Sequence, residues 1–204
     1  KIKISKEIIA TLPIETFLGK IVVIDNERDA DNAVLQLNNE RIIGFDTETR
    51  PTFKKGKSNH VALIQLSTHD TCYLFRINRI GFTPAIKNLL ENESLLKVGI
   101  SLKDDFCMLS RLNGGQFIPR NFIELQKFVK KYNIEDQSLQ KIYGIVIGKK
   151  ISKGQRLSNW EADHLTENQQ LYAATDAWSC IKIYEVLKSG KFKSPIYKIQ
   201  PSSL

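Results

Sequence analysis

Cysteine is scarce in this 204-residue chain: Cys72, Cys107 and Cys180 are an odd number, far apart and without a Cys-x-x-Cys pair. That excludes a disulfide framework and a zinc knuckle, and points to a reducing compartment, cytoplasmic or, in a eukaryote, nuclear, rather than to secretion. Histidine is equally sparse, and His60, His69 and His164 have no metal-binding spacing. No apolar run approaches the ~18 residues needed to cross a bilayer. Lys1 to Thr11 alternates isoleucine with lysine where a signal peptide would carry its apolar stretch. A soluble protein with no membrane partner is the expectation. Because the first residue is Lys1 rather than Met, a leader or a neighbouring domain stays open. Internal repeats and low-complexity tracts are also missing, which excludes solenoids and linker arrays.

What is present suffices for one sizeable core. Hydrophobic residues make up 42% and charged residues 25%, so a single α/β or α+β domain is the default. Thirty Lys and Arg against 22 Asp and Glu leave a net charge of +8, which favours a polyanionic partner without identifying it.

Along the chain, residues 21–24 and 42–47 read as strands, with a helix over 29–37 between them that Asp29 would cap. Strands over 61–66 and 71–75 form a hairpin, and helices over 82–90 and 103–112 flank a short buried strand at 96–99. A strand at 121–124, helices over 125–131 and 138–143, and a long helix over 166–187 complete the pattern. A hairpin followed by alternating strands and helices predicts a mixed sheet of five or six strands covered on both faces. Residues 1–20 then form an N-terminal extension, 21–189 the domain and 190–204 a loosely held tail.

Three acidic motifs fall on these elements. In Phe45-Asp46-Thr47-Glu48-Thr49 an apolar strand ends in two carboxylates one residue apart, which the period of two places on one face. Asp105 shares a helical stripe with Met108, Leu109 and Leu112, so its carboxylate lies along the apolar face, whereas Asp104 shares a face with Cys107 and Arg111. Asp105 is therefore the candidate and Asp104 the fallback. In Tyr172-Ala173-Ala174-Thr175-Asp176 the i, i+4 spacing brings phenol and carboxylate to one helix face. Each motif alone also has a plain reading: a solvated strand end, a carboxylate serving free helix N–H groups, or a core tyrosine beside a surface acid.

If Asp46, Glu48, Asp105 and Asp176 converge, each pair at 4 Å repels by about 4 kcal/mol at an effective dielectric of ~20. Two divalent cations would neutralise the four charges, and hard oxygen ligands select Mg²⁺ or Mn²⁺ over zinc. Such a pair of ions suits phosphodiester hydrolysis. Two basic loops, one holding Lys54, Lys55 and Lys57 and the other Lys149, Lys150, Lys153 and Arg156, are candidates for phosphate contact or are simply solvated. Trp160 would stack on a base or anchor the core.

In this order, Asp-x-Glu on a strand, an Asp opening a helix and Tyr-x-x-x-Asp in the last helix resemble the DEDD superfamily of 3′→5′ exonucleases, tyrosine subgroup. Val61-Ala62-Leu63-Ile64-Gln65-Leu66, Asn121-Phe122-Ile123-Glu124-Leu125, Ser158-Asn159-Trp160 and Leu171-Tyr172-Ala173-Ala174-Thr175-Asp176-Ala177 make the chain most similar to the Werner-syndrome-type and ribonuclease D-like branch. The resemblance implies a ribonuclease H-like fold and two metals bridged by Asp46. Glu48 and Asp176 would complete the site that activates water, and Asp105 would hold the second metal. Tyr172 would position the attacking water; the subgroup rests on it, since the sister group has histidine at the matching place. The implied substrate is nucleic acid with a free single-stranded or recessed 3′ end, DNA before RNA, releasing nucleoside 5′-monophosphates. A silent nuclease-like adaptor on nucleic acid and a phosphoesterase of small nucleotides are the competing readings.

Overall fold

Every residue of Val61–Ser67 is buried, and a strand with no exposed face belongs in the interior of a sheet covered on both sides. The computed structural model, which describes residues 1–51 and 60–193, places it there. The strands are β1 (Lys20–Ile24), β2 (Ile42–Thr49), β3 (Val61–Ser67), β4 (Thr71–Phe75), β5 (Leu96–Gly99) and β6 (Phe122–Glu124), in the order β1-β4-β3-β2-β5-β6. Only β3 runs against its neighbours; the β1/β4, β2/β5 and β5/β6 pairs are parallel. Among the described residues the expected mixed sheet therefore has six strands.

Alternation along β2 and β3 decides which helices cover which face. Phe45, Ile64 and Leu66 pack with Ala30, Val34 and Leu37 of α2 (Glu27–Leu37), Leu89 and Leu90 of α4 (Pro84–Glu91), and Leu102 and Leu109 of α5 (Leu102–Leu112). On the opposite face Leu63 and Leu74 pack against Ala173 and Ala174 of the last helix, Glu167–Lys188. Behind it, Ile142 and Tyr143 of the helix Leu139–Ile147 join Cys180 and Ile183 in a further apolar cluster. That cluster also takes in Ile2 and Ile4, so the first residues of the chain pack onto the domain.

Local signals account for most boundaries and for the differences. Asn26, not Asp29, caps α2: its side chain accepts from the Asp29 N–H at 2.9 Å, and the helix starts two residues earlier than the apolar spacing indicates. Two short helices, α1 (Lys6–Thr11) and α3 (Ile77–Ile80), carry too few turns for a period to register. The helix expected over 125–131 divides into α6 (Leu125–Phe128) and a 3₁₀ turn, Val129–Tyr132. The one expected to end at Tyr143 continues, as α7, to Ile147. The final helix, α8, is closed at its start by a capping box between Thr166 and Gln169. Of the tail, Phe192 lies edge-on to Tyr132, and 194–204 fall outside the described residues.

The distance between β2 and α8 is set by Gly44. A Cβ at this position would lie 1.9 Å from the Ala177 carbonyl oxygen and 2.7 Å from its carbon, both backbone atoms. Because β3 and β5 hold β2 from either side, only α8 could yield. Gly44→Ala is therefore expected to cost about 3 kcal/mol of stability, or roughly 6–12 °C in melting temperature for a domain of this size. A thermal melt of the variant checks it.

Candidate active site

The pairing of β2 with β5 ends at Gly44, so residues 45–49 run past the end of their parallel neighbour. The carboxyl end of a strand is the usual position for a site in such sheets. Asp46 and Glu48 alternate onto the face that α8 covers, and α8 delivers Asp176 from the other side. One carboxylate oxygen from each of the three lies within 4.8 Å of the others. The Asp46 carboxylate also accepts from the Thr47 N–H at 2.9 Å.

Asp105 joins from the other face of the sheet. Thr47, alternating away from its neighbours, donates its hydroxyl to Asp105 Oδ1 at 2.6 Å. Asp105 stands in the first turn of α5 and is partly buried, while Asp104 beside it is exposed, so the choice made on the helical stripe agrees with the packing. What aims α5 is Glu124, at the end of β6. Its carboxylate accepts from the N–H groups of Ser101 (3.1 Å) and Leu102 (2.8 Å), replacing a side-chain cap where Ser101 turns through φ 58°.

These acids do not ionise freely. Burial, then the charges of Asp176 and Asp105, hold the Asp46 carboxyl well above the usual range. Burial, then Asp46, Asp176 and Asp105, raise Glu48. Asp176, 5% exposed, is raised by burial against the opposing pull of the Tyr172 hydroxyl and the Lys153 charge. Asp105 is pushed up to about 6, chiefly by burial. Tyr172 donates to Asp176, and burial together with the neighbouring acids pushes its phenol far above the ordinary value. The Asp176 Oδ1 atom is buried without a hydrogen-bond partner among the described residues. Hard carboxylate oxygens from three residues, crowded within 4.8 Å and mutually raised, fit a divalent cation of the Mg²⁺ or Mn²⁺ type.

The basic candidates divide. The charges of Arg156 and Lys153 act on Glu48 and Asp176 respectively, so both residues stand near the cluster. Lys150 is turned away, its ammonium donating to the Ala10 carbonyl at the end of α1. Lys149 pairs with Glu15 at 2.7 Å, where Lys182 and the Tyr143 hydroxyl also converge. Trp160 requires a correction: it is 0% exposed, packs 6.0 Å from the Tyr172 ring, and so anchors the core rather than offering a face to a base. The Ser158–Trp160 stretch is instead a seat for α8, with Gln169 Nε2 donating to Ser158 Oγ and to the Asn159 carbonyl. Arg76 fastens the far side of that loop through the Ala162 and Asp163 carbonyls. Lys54, Lys55 and Lys57 lie outside the described residues. Reading by motif missed Thr47 and Glu124; the one visible signal was that Glu124, like Asp46, is an acid at a strand end.

A family model described as 3′-5′ exonuclease matches residues 21–190. The mouse bifunctional 3′-5′ exonuclease/ATP-dependent helicase WRN is 34% identical over 193 residues, covering 86% of this chain and 13% of that protein, so the chain spans a small fraction of that relative. Among solved structures, the Aedes aegypti Nibbler EXO domain superposes with a TM-score of 0.77 at 23% identity, over 86% of this chain and 91% of that one. Escherichia coli RNase D gives 0.74 at 20% identity, over 84% and 45%. These two carry the fold, a ribonuclease H-like α/β sheet.

Proposed function

The chain belongs to the DEDD-type 3′-5′ exonuclease family, and from that premise we propose that residues 21–189 form a catalytic unit removing nucleotides one at a time from a nucleic-acid 3′ end. Asp46, Glu48, Asp105 and Asp176 would hold two divalent cations, Mg²⁺ or Mn²⁺, and the products would be nucleoside 5′-monophosphates. The observation that carries this reading is the meeting of Asp46, Glu48 and Asp176, from two elements far apart in sequence, in one buried cluster.

When bound, the cations supply Lewis-acid activation of water and neutralise charge at the departing oxygen. The protein's own groups do the rest. Asp46, central to the cluster, faces both Asp176 and Asp105. Tyr172 fixes the Asp176 carboxylate. With its phenol held far above its ordinary pKa, it keeps at neutral pH the proton it gives to Asp176, so its oxygen meets water as an acceptor and orients it rather than taking its proton. Lys153 and Arg156 present positive charge at the rim to the substrate backbone.

DNA is the substrate favoured, on the similarity in sequence to the helicase-linked exonuclease. The test is a time course on 5′-labelled single-stranded DNA, matched RNA and a recessed duplex, with Mg²⁺, Mn²⁺ or EDTA. A ladder shortening from the 3′ end and abolished by EDTA is expected, fastest on DNA. Faster RNA shortening reverses the substrate assignment; internal cuts, or binding without cleavage, overturn the function.

A further inference from the structure

Gln65 is out of character with its surroundings. It lies in the middle of β3, is 0% exposed, and neither its Nε2 nor its Oε1 has a hydrogen-bond partner among the described residues. Leu63, Ile64 and Leu66 around it are apolar and fully buried, so packing alone would place an apolar side chain here as well. A buried amide with both polar atoms unused is costly and calls for a reason.

The register supplies one. Gln65 is directly opposite Asp46 across the β2/β3 pair and opposite Leu74 across β3/β4. Opposed residues of an antiparallel pair project to the same face with Cβ atoms about 4.5–5.5 Å apart. The amide therefore lies one strand behind the acidic cluster, in the layer between the sheet and α8. The same layer holds Asp176 Oδ1, a buried acceptor with no donor. Two unused N–H donors and an unserved carboxylate oxygen thus flank Asp46.

The structure assigns Gln65 a positioning role: its amide N–H groups serve the inward oxygens of Asp46 and Asp176 when the cluster holds its cations, and so set where the outward oxygens point. The assignment rests on the two-cation reading above. Partners of this kind behind a metal ligand govern affinity about as strongly as many ligands do, with losses of roughly 10–100-fold on removal.

The experiment is calorimetric titration of Mn²⁺ into EDTA-stripped wild type and Gln65→Met, alongside metal-free melting and steady-state kinetics. Gln65→Met keeps the length and removes both polar atoms. It is expected to raise the Mn²⁺ dissociation constant by about 10–100-fold, to melt no lower than wild type without metal, and to lower kcat while leaving KM for the oligonucleotide unchanged. A dissociation constant within twofold of wild type overturns the assignment and leaves the two-cation reading standing. A wild type that takes up no Mn²⁺ overturns both. Should Gln65→Met fail to fold, Gln65→Asn, whose amide stops one methylene short, carries the same test with the same sign and threshold.

Discussion

Asp46→Ala is expected to lower the rate of 3′-end shortening by on the order of 10³-fold or more, and in the same protein to raise the metal-free melting temperature at pH 7.5. The opposite signs have one cause. Asp46 is held among the charges of Asp176, Asp105 and Glu48, where burial penalises ionisation. Without cations, each such pair at 4 Å costs about 4 kcal/mol at an effective dielectric of ~20, partly avoided by taking up protons. Alanine removes those repulsions and loses one hydrogen bond from the Thr47 N–H. The net gain is about 2–5 °C for a domain of this size. Initial rates in Mn²⁺ and thermal melts in EDTA check both halves. A fully active Asp46→Ala protein sinks the mechanism; one that melts well below wild type in EDTA sinks the electrostatic account.

The second large effect is on stability against pH. Folding raises Asp105 to about 6, Asp176 to about 7 and Glu48 to about 10. Above pH ~4 the folded protein then binds more protons than the unfolded chain, and its stability falls as pH rises. Across this window the three groups together hold about two excess protons on average, each worth about 1.4 kcal/mol per pH unit, so the metal-free melting temperature should drop by roughly 11–22 °C between pH 5.5 and 7.5. Glu15, lowered to about 2 by the hydrogen bonds of Lys149, Lys182 and Tyr143 despite the opposing effect of burial, acts with the other sign. Its contribution is lost only on acidification below its ordinary value, outside this window. With saturating Mn²⁺ the trend inverts, because ligands must be deprotonated to bind and binding stabilises the fold. Melting curves at three pH values, with Mn²⁺ and with EDTA, measure the crossing; a metal-free curve flat in pH contradicts it.

The acids were legible because each obeys a rule only a few residues long. Alternation puts Asp46 and Glu48 together, the helical stripe separates Asp105 from Asp104, and one turn of helix joins Tyr172 to Asp176. Their meeting was legible only through the resemblance, since β2 and α8 are brought together by Gly44, whose role depends on a backbone from the other end of the chain. Side chains in loops were the least legible. Nothing in the run from Lys149 to Trp160 says that Lys149 and Lys150 turn to the N-terminal segment while Trp160 fills the interior. Glu124 and Gln65 were hidden for a related reason: capping across a sheet and burial opposite a charge are properties of register.

The acids and their phenol come from three separate elements, and the last to be made, α8, contributes both Asp176 and Tyr172. During synthesis β2 and α5 leave the ribosome long before α8 does, so the nascent chain carries half a cation cage that holds nothing firmly. Only when α8 settles against Gly44 and the Ser158–Trp160 seat does the cage close. Pairings this distant in sequence form late. A cation site assembled in that order stays open until the fold is finished, and the same order means that undocking of α8 alone would take Asp176 and Tyr172 out of it.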